Sequence, residues 1–154
     1  MNENKILFIE DAITDGVKSL LTSRMNELIG EIEYSVPVIE FGKYTGANVI
    51  VPKIDLVSCE RTEKERLILL DAYSLTVTFN VRDCPDSVLY TWIYFCAANK
   101  VFNESPTLDG IADRLTLTCV DIKPPKVFDC GQDWQVTAKL RITVEGTLYA
   151  RKWL

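Results

Sequence analysis

Side-chain chemistry needs a nucleophile, a base or a metal ligand, and this chain offers few of them in usable combinations. It carries five cysteines, Cys59, Cys84, Cys96, Cys119 and Cys130, and no histidine. The number is odd and no two cysteines form a C-x-x-C pair, so a dense disulfide framework is not indicated. The missing histidine removes the commonest partner for zinc and for a nucleophilic thiol. Free, mostly packed thiols in a reducing compartment are expected. Cys84 precedes a predicted helix, whose N-terminus stabilises a thiolate, and is the best candidate for a reactive thiol. With no histidine to act as its base, catalysis by Cys84 is not expected.

The carboxylates tell a similar story. Asp83 and Asp86 stand three apart, but helix capping accounts for them without any acid–base role. Asp129 and Asp133 flank a glycine turn and lack the ligand series of a calcium loop. Glycine-rich phosphate loops, the G-x-S-x-G elbow and H-E-x-x-H are all missing from the sequence. The expectation is a non-enzyme with no catalytic residue, cofactor or metal.

Composition bounds the class. The chain has 154 residues with 47% hydrophobic and 25% charged positions, a globular balance with length enough for one sizeable core. Seventeen Lys and Arg against 22 Asp and Glu leave a net charge of -5. That balance argues against a partner held by its phosphates, so no specific nucleic-acid binding is expected. The apolar run Ile6 to Ile9 is too short for a signal segment, and no stretch approaches the ~20 apolar residues of a membrane span. A cytoplasmic protein without a membrane partner is expected.

These residues are positioned by elements legible from periodicity. Ile6, Ile9, Ile13, Val17, Leu20 and Leu21 recur at steps of three and four, continuing through Met25 and Leu28 to a stop at Gly30, which predicts an N-terminal amphipathic helix. Gly16 is a candidate break within it. Val36 to Phe41 reads as a strand that Pro37 pushes toward an edge or a strand start, and residues 42–48 as an exposed loop. Tyr73 to Val81 alternates apolar and polar residues strictly, as do Trp134 to Glu145 and Leu115 to Cys119. Period two of this kind suits an antiparallel sheet with one face on a core and one in water. Between the strands, Asp83 and Pro85 open a second helix that ends near Phe102 and presents a broad apolar surface. On it, Tyr90 and Tyr94 share one side and are candidate interface aromatics. Leu108-Asp109-Gly110 turns the chain back, and Pro124-Pro125 breaks the strand run. No linker or repeat divides the chain, so residues 1–154 read as a single α+β domain: an antiparallel or mixed sheet packed with an N-terminal and a central helix.

The stretch from Glu60 to Arg66 is polar, densely charged and without period. It is expected to form a protruding, mobile turn, with Glu60, Arg61, Glu63, Lys64 and Arg66 as a subunit-contact arm.

This layout resembles the tail-terminator (tail-completion) proteins of long-tailed bacteriophages. The resemblance runs through the helix from Ile6, the segments Val36-Pro37-Val38-Ile39 and Val51-Pro52-Lys53-Ile54-Asp55-Leu56, the strand Tyr73 to Val81, the helix Ser87 to Phe102, and the strand pair Asp113 to Asp121 and Trp134 to Val144. Glu60 to Arg66 and the Pro124-Pro125 break have no counterpart assigned. The resemblance implies a minor tail protein of a phage or prophage, assembled as a homo-hexameric ring. Such a ring caps the tail tube, ends its polymerisation and joins the tail to the head connector, with DNA passing through it. It implies assembly in the host cytoplasm followed by residence in the virion tail, with tail-tube and head-connector proteins as partners.

Two other classes remain open on the residues alone. One is a small-molecule carrier whose apolar pocket between helix and sheet is lined by Trp92, Phe95, Phe79 and Trp134. The other is a thiol enzyme built on Cys84.

Overall fold

A computed structural model describes residues 9–42, 48–65, 68–82, 84–125 and 133–147. Among them the chain forms α1 (Ile9–Leu20), a π-helical turn (Leu21–Met25), α2 (Asn26–Gly30), β1 (Val38–Ile39), β2 (Val49–Ile50), β3 (Lys53–Glu65), β4 (Ile68–Val81), α3 (Ser87–Asn103), β5 (Arg114–Lys123) and β6 (Trp134–Thr147). The result is an α+β fold, as the periodicities predict. β3 to β6 make an antiparallel sheet in the order β3-β4-β6-β5, and β1 and β2 make a small parallel pair.

The N-terminal helix continues past Gly16. Ile13, Val17, Leu21, Met25 and Ile29 are all buried and stand four residues apart. In a helix of about 3.6 residues per turn each such step drifts by about 40°, so an unbroken α-helix would carry the last of them off the core face. The wider turn at Leu21–Met25 takes up that drift. Thr22, Ser23 and Asn26 bond from their side chains to the carbonyls of Lys18, Ser19 and Thr22 around this turn. Gly16 instead marks a close approach. A Cβ there would stand 2.6 Å from Ile111 and 3.1 Å from Leu108 in the segment leading into β5.

One face of the sheet lies against the helices. Tyr73, Leu75, Val77, Phe79 and Val81 of β4 point inward beside Val136, Ala138, Leu140 and Ile142 of β6, all buried. Val77 pairs with Ala138 and Phe79 with Val136. A bulge between Leu117 and Cys119 resets β5, so that Leu117 faces Leu140 and Val120 still faces Ala138. The chain reaches β5 through Leu108, Asp109 and Gly110, which share the left-handed conformation at φ 51°, 55° and 87°.

Two expectations are corrected. The strand expected over Val36 to Phe41 is only Val38–Ile39, starting directly after Pro37. Conversely, β4 begins at Ile68, ahead of Tyr73, because the apolar run before Asp71 hides its alternation while still pairing residue by residue with Thr147 to Val144. Of the loop expected at residues 42–48, residues 43–47 lie outside the described residues.

Candidate functional site

The charged stretch is a strand. Glu60, Arg61, Glu63 and Lys64 belong to β3; Glu60, Arg61 and Glu63 pair with Ala72, Asp71 and Leu69 of β4 and Lys64 stands in a bulge, so the expected turn is corrected to the far half of a 13-residue edge strand. Arg66 lies outside the described residues. The sequence pattern failed here because β3 is mostly exposed, and a solvated edge strand has no apolar alternation to read. Two bulges, between Leu56 and Ser58 and between Glu63 and Glu65, interrupt its ladder.

Within this stretch Arg61 is the structural residue. Its Nε and Nη2 donate to the two carboxylate oxygens of Asp71 at 2.7 and 3.0 Å, and the Asp71 side chain is only 6% exposed. Beside it, the Tyr73 hydroxyl donates to Glu10 of α1 at 3.3 Å. Burial, followed by the neighbouring Cys59 and Glu10, pushes the Tyr73 hydroxyl pKa well above its ordinary value. Lys64 donates to Glu145 of β6 at 2.6 Å in the open, which raises its pKa.

The tyrosines of α3 are anchors within the subunit. Tyr94 is fully buried, stacks on Phe79 at 5.5 Å and donates to the Pro37 carbonyl. Burial raises its pKa, with Tyr90 contributing. Tyr90 is half-buried and donates to the Ser35 carbonyl at 3.0 Å. Together they tie the chain before β1 to α3. Tyr94 is therefore corrected from interface aromatic to core, because its ring is enclosed and its hydroxyl is used internally.

The outer side of α3 is where aromatic surface is available. Trp92 is 53% exposed, its ring edge-on to Phe95 at 5.3 Å, and Val88 is exposed one turn earlier. An apolar groove of about 340 Å³ runs between α2 and α3, with Leu28 and Ile32 on one wall and Trp92, Ile93 and Cys96 on the other. The four aromatics expected around one pocket do not all meet. Trp92 and Phe95 contact each other, Phe79 is in the core against Tyr94, and Trp134 packs at the core margin.

The cysteines are less packed than expected. Cys59, Cys84 and Cys96 are exposed, Cys119 is half-buried, and all four are free; Cys130 lies outside the described residues. Cys84 sits before α3, where its carbonyl accepts the Ser87 amide, and borders a cavity of about 330 Å³ shared with Arg82, Tyr90 and Asp133. Asp86 occupies the capping position of α3 without a side-chain cap bond, and Asp83 lies outside the described residues. Among the described residues no group of three or more acidic or thiol side chains is arranged to hold a metal. No described helix is long and apolar enough to cross a membrane.

Comparison of the chain with models of known protein families gives no match, and comparison with curated proteins gives none.

Proposed function

We propose that this protein is a structural virion subunit that forms a ring, caps the tail tube of a long-tailed phage or prophage, ends its polymerisation and joins the tail to the head connector. The observation that carries the reading is the distribution of exposed features. They are surfaces: a solvated edge strand of 13 residues and an apolar helix face with a half-exposed tryptophan. A subunit that works by contact needs such surfaces, and exposed aromatics are characteristic anchors of protein interfaces. The α+β layout agrees with the tail-terminator resemblance. In this reading the protein is not an enzyme and takes no cofactor.

Light scattering behind size exclusion, from micromolar to millimolar chain, tests it together with negative-stain imaging. A closed hexamer, or a concentration-dependent rise toward one, is the expected result. A chain that stays monomeric throughout overturns self-assembly into a ring. The carrier alternative finds its support in the apolar groove at Trp92, and it predicts such a monomer.

A further inference from the structure

Among the described residues both edges of the four-stranded sheet are open, β3 on one side and β5 on the other. Neighbouring strands are antiparallel throughout, so the two edges run in opposite directions. A second copy set alongside therefore brings its β3 antiparallel to the first copy's β5. Hydrogen-bonded and non-hydrogen-bonded pairs alternate from strand to strand along each row of such a sheet. With four strands the first and last pairs of a row are of the same kind, so the backbone groups left free on β3 and on β5 fall in the same rows.

The side chains at the ends of these rows also match. One row runs Glu60, Ala72, Thr143, Arg114. Carried into a second copy, it sets Arg114 opposite Glu60. Both are exposed, and among the described residues neither forms an ion pair within the subunit. On the core face, one row ends in Leu56 and Leu117 and another in Ile54 and Val120, so apolar ends meet apolar ends. Leu56 is 43% exposed in the single subunit. Bulges ordinarily spoil an edge for pairing. Here each edge carries one, between Leu56 and Ser58 and between Leu117 and Cys119, on either side of the row that ends in Leu56 and Leu117. Each inserts one residue, so the stretch from Glu60 back to Lys53 is as long as that from Arg114 on to Asp121. A bulge that would offset a regular strand is thus matched by its mate.

We infer that β5 of one copy pairs antiparallel with β3 of the next, so that the sheet continues from subunit to subunit around the ring. This rests on the ring reading above and assigns its contact. A head-to-tail contact that closes needs two different patches on each subunit, and the two edges of one sheet supply them. Backbone hydrogen bonds hold the strands together, and the row ends set the register.

Disulfide trapping tests that register. The row Asp55, Thr76, Lys139, Cys119 places the native Cys119 of one copy opposite Asp55 of the next. Asp55→Cys is combined with Cys59→Ser, Cys84→Ser, Cys96→Ser and Cys130→Ser, and the chain is oxidised with copper phenanthroline. The expected product is a ladder beyond dimers, with peptide mapping joining position 55 to Cys119. Within one subunit these positions lie on opposite edges, about 14 Å apart by three strand spacings, so the bond has to join two copies. Ile54→Cys, made in place of Asp55→Cys, points to the other face and is expected to give no ladder. In a second measurement, Arg114→Glu and Glu60→Arg are each expected to weaken association about fivefold, and the double variant to restore it. Circular dichroism matching the parent chain confirms that each variant is folded.

A parent chain that forms hexamers, with no bond from position 55 to Cys119 and no effect of either charge reversal, overturns this contact and leaves the ring reading standing. Crosslinks that stop at dimers joined through like positions have the same effect, because they report two-fold pairing of one edge with itself. A parent chain that stays monomeric at millimolar concentration and gives no ladder overturns both.

Discussion

The carboxamide of Asn26 bonds to both backbone groups of Ile39, donating to its carbonyl and accepting from its amide, each at 2.8 Å. A side chain at the first position of α2 thereby does what a neighbouring strand would do, and it holds β1 against the helix. Ile39 itself is fully buried, so unpaired backbone groups there would be costly. Asn26→Ala is expected to destabilise the fold by about 2 kcal/mol, the cost of leaving buried backbone groups without their partner. Urea unfolding measures it. Asn26→Asp keeps the acceptor but sets a carboxylate against the Ile39 carbonyl, and it is expected to cost at least as much.

The charged half of β3 divides into one residue that matters for stability and others that do not. Arg61→Ala removes the bidentate partner of an Asp71 carboxylate that is almost wholly buried. It is expected to cost about 2 kcal/mol, reduced from the value for a fully enclosed pair because the guanidinium is partly open to water. Lys64→Ala breaks an ion pair whose two side chains are both open to solvent, and it is expected to leave the denaturant midpoint unchanged. Equal effects from the two substitutions would contradict this division.

High pH is expected to weaken the fold through its buried tyrosines. Burial raises the pKa of Tyr73 and Tyr94 above the ordinary value of 10.0. Above about pH 10 the unfolded chain loses these protons while the folded chain keeps them. The unfolded state then binds fewer protons, so unfolding free energy falls as pH rises. The contribution is complete below about pH 10 and is lost above it. Tyr94→Phe should flatten the decline between about pH 9 and 11 in urea titrations, while lowering stability at neutral pH by about 1 kcal/mol through the lost bond to Pro37.

Gly16 separates helix propensity from packing. Gly16→Ala gains about 1 kcal/mol of helix propensity, and the atom it approaches most closely is the terminal methyl of Ile111, which can shift. A near-neutral change in thermal midpoint is expected. Gly16→Leu has no such escape, because Leu108 is buried and held at positive φ. It should cost about 1–3 kcal/mol by overpacking.

Much of the fold was legible because its signals are local. Strict alternation placed the inward residues of β4 and β6, and steps of three and four placed the buried stripe of α1 through α2. In each case neighbours along the chain share one environment, so periodicity reports it directly. The α+β class with an antiparallel sheet followed from the same patterns, and the residue types placed a turn at Leu108-Asp109-Gly110, whose left-handed conformation only the structure shows.

The remaining features depended on residues far apart in sequence. The stretch from Glu60 to Lys64 has no apolar period, and only its pairing with β4 makes it a strand, with Asp71 supplying the buried partner for Arg61. Tyr90 and Tyr94 were placed correctly on one side of a helix, yet whether that side met a neighbour or its own chain turned on the carbonyls of Ser35 and Pro37. Trp92 and Phe79 have similar hydrophobicity in sequence and opposite fates in space. Which aromatic is enclosed is decided by where α3 settles on the sheet, and that is set by the packing of the whole core rather than by any local run of residues.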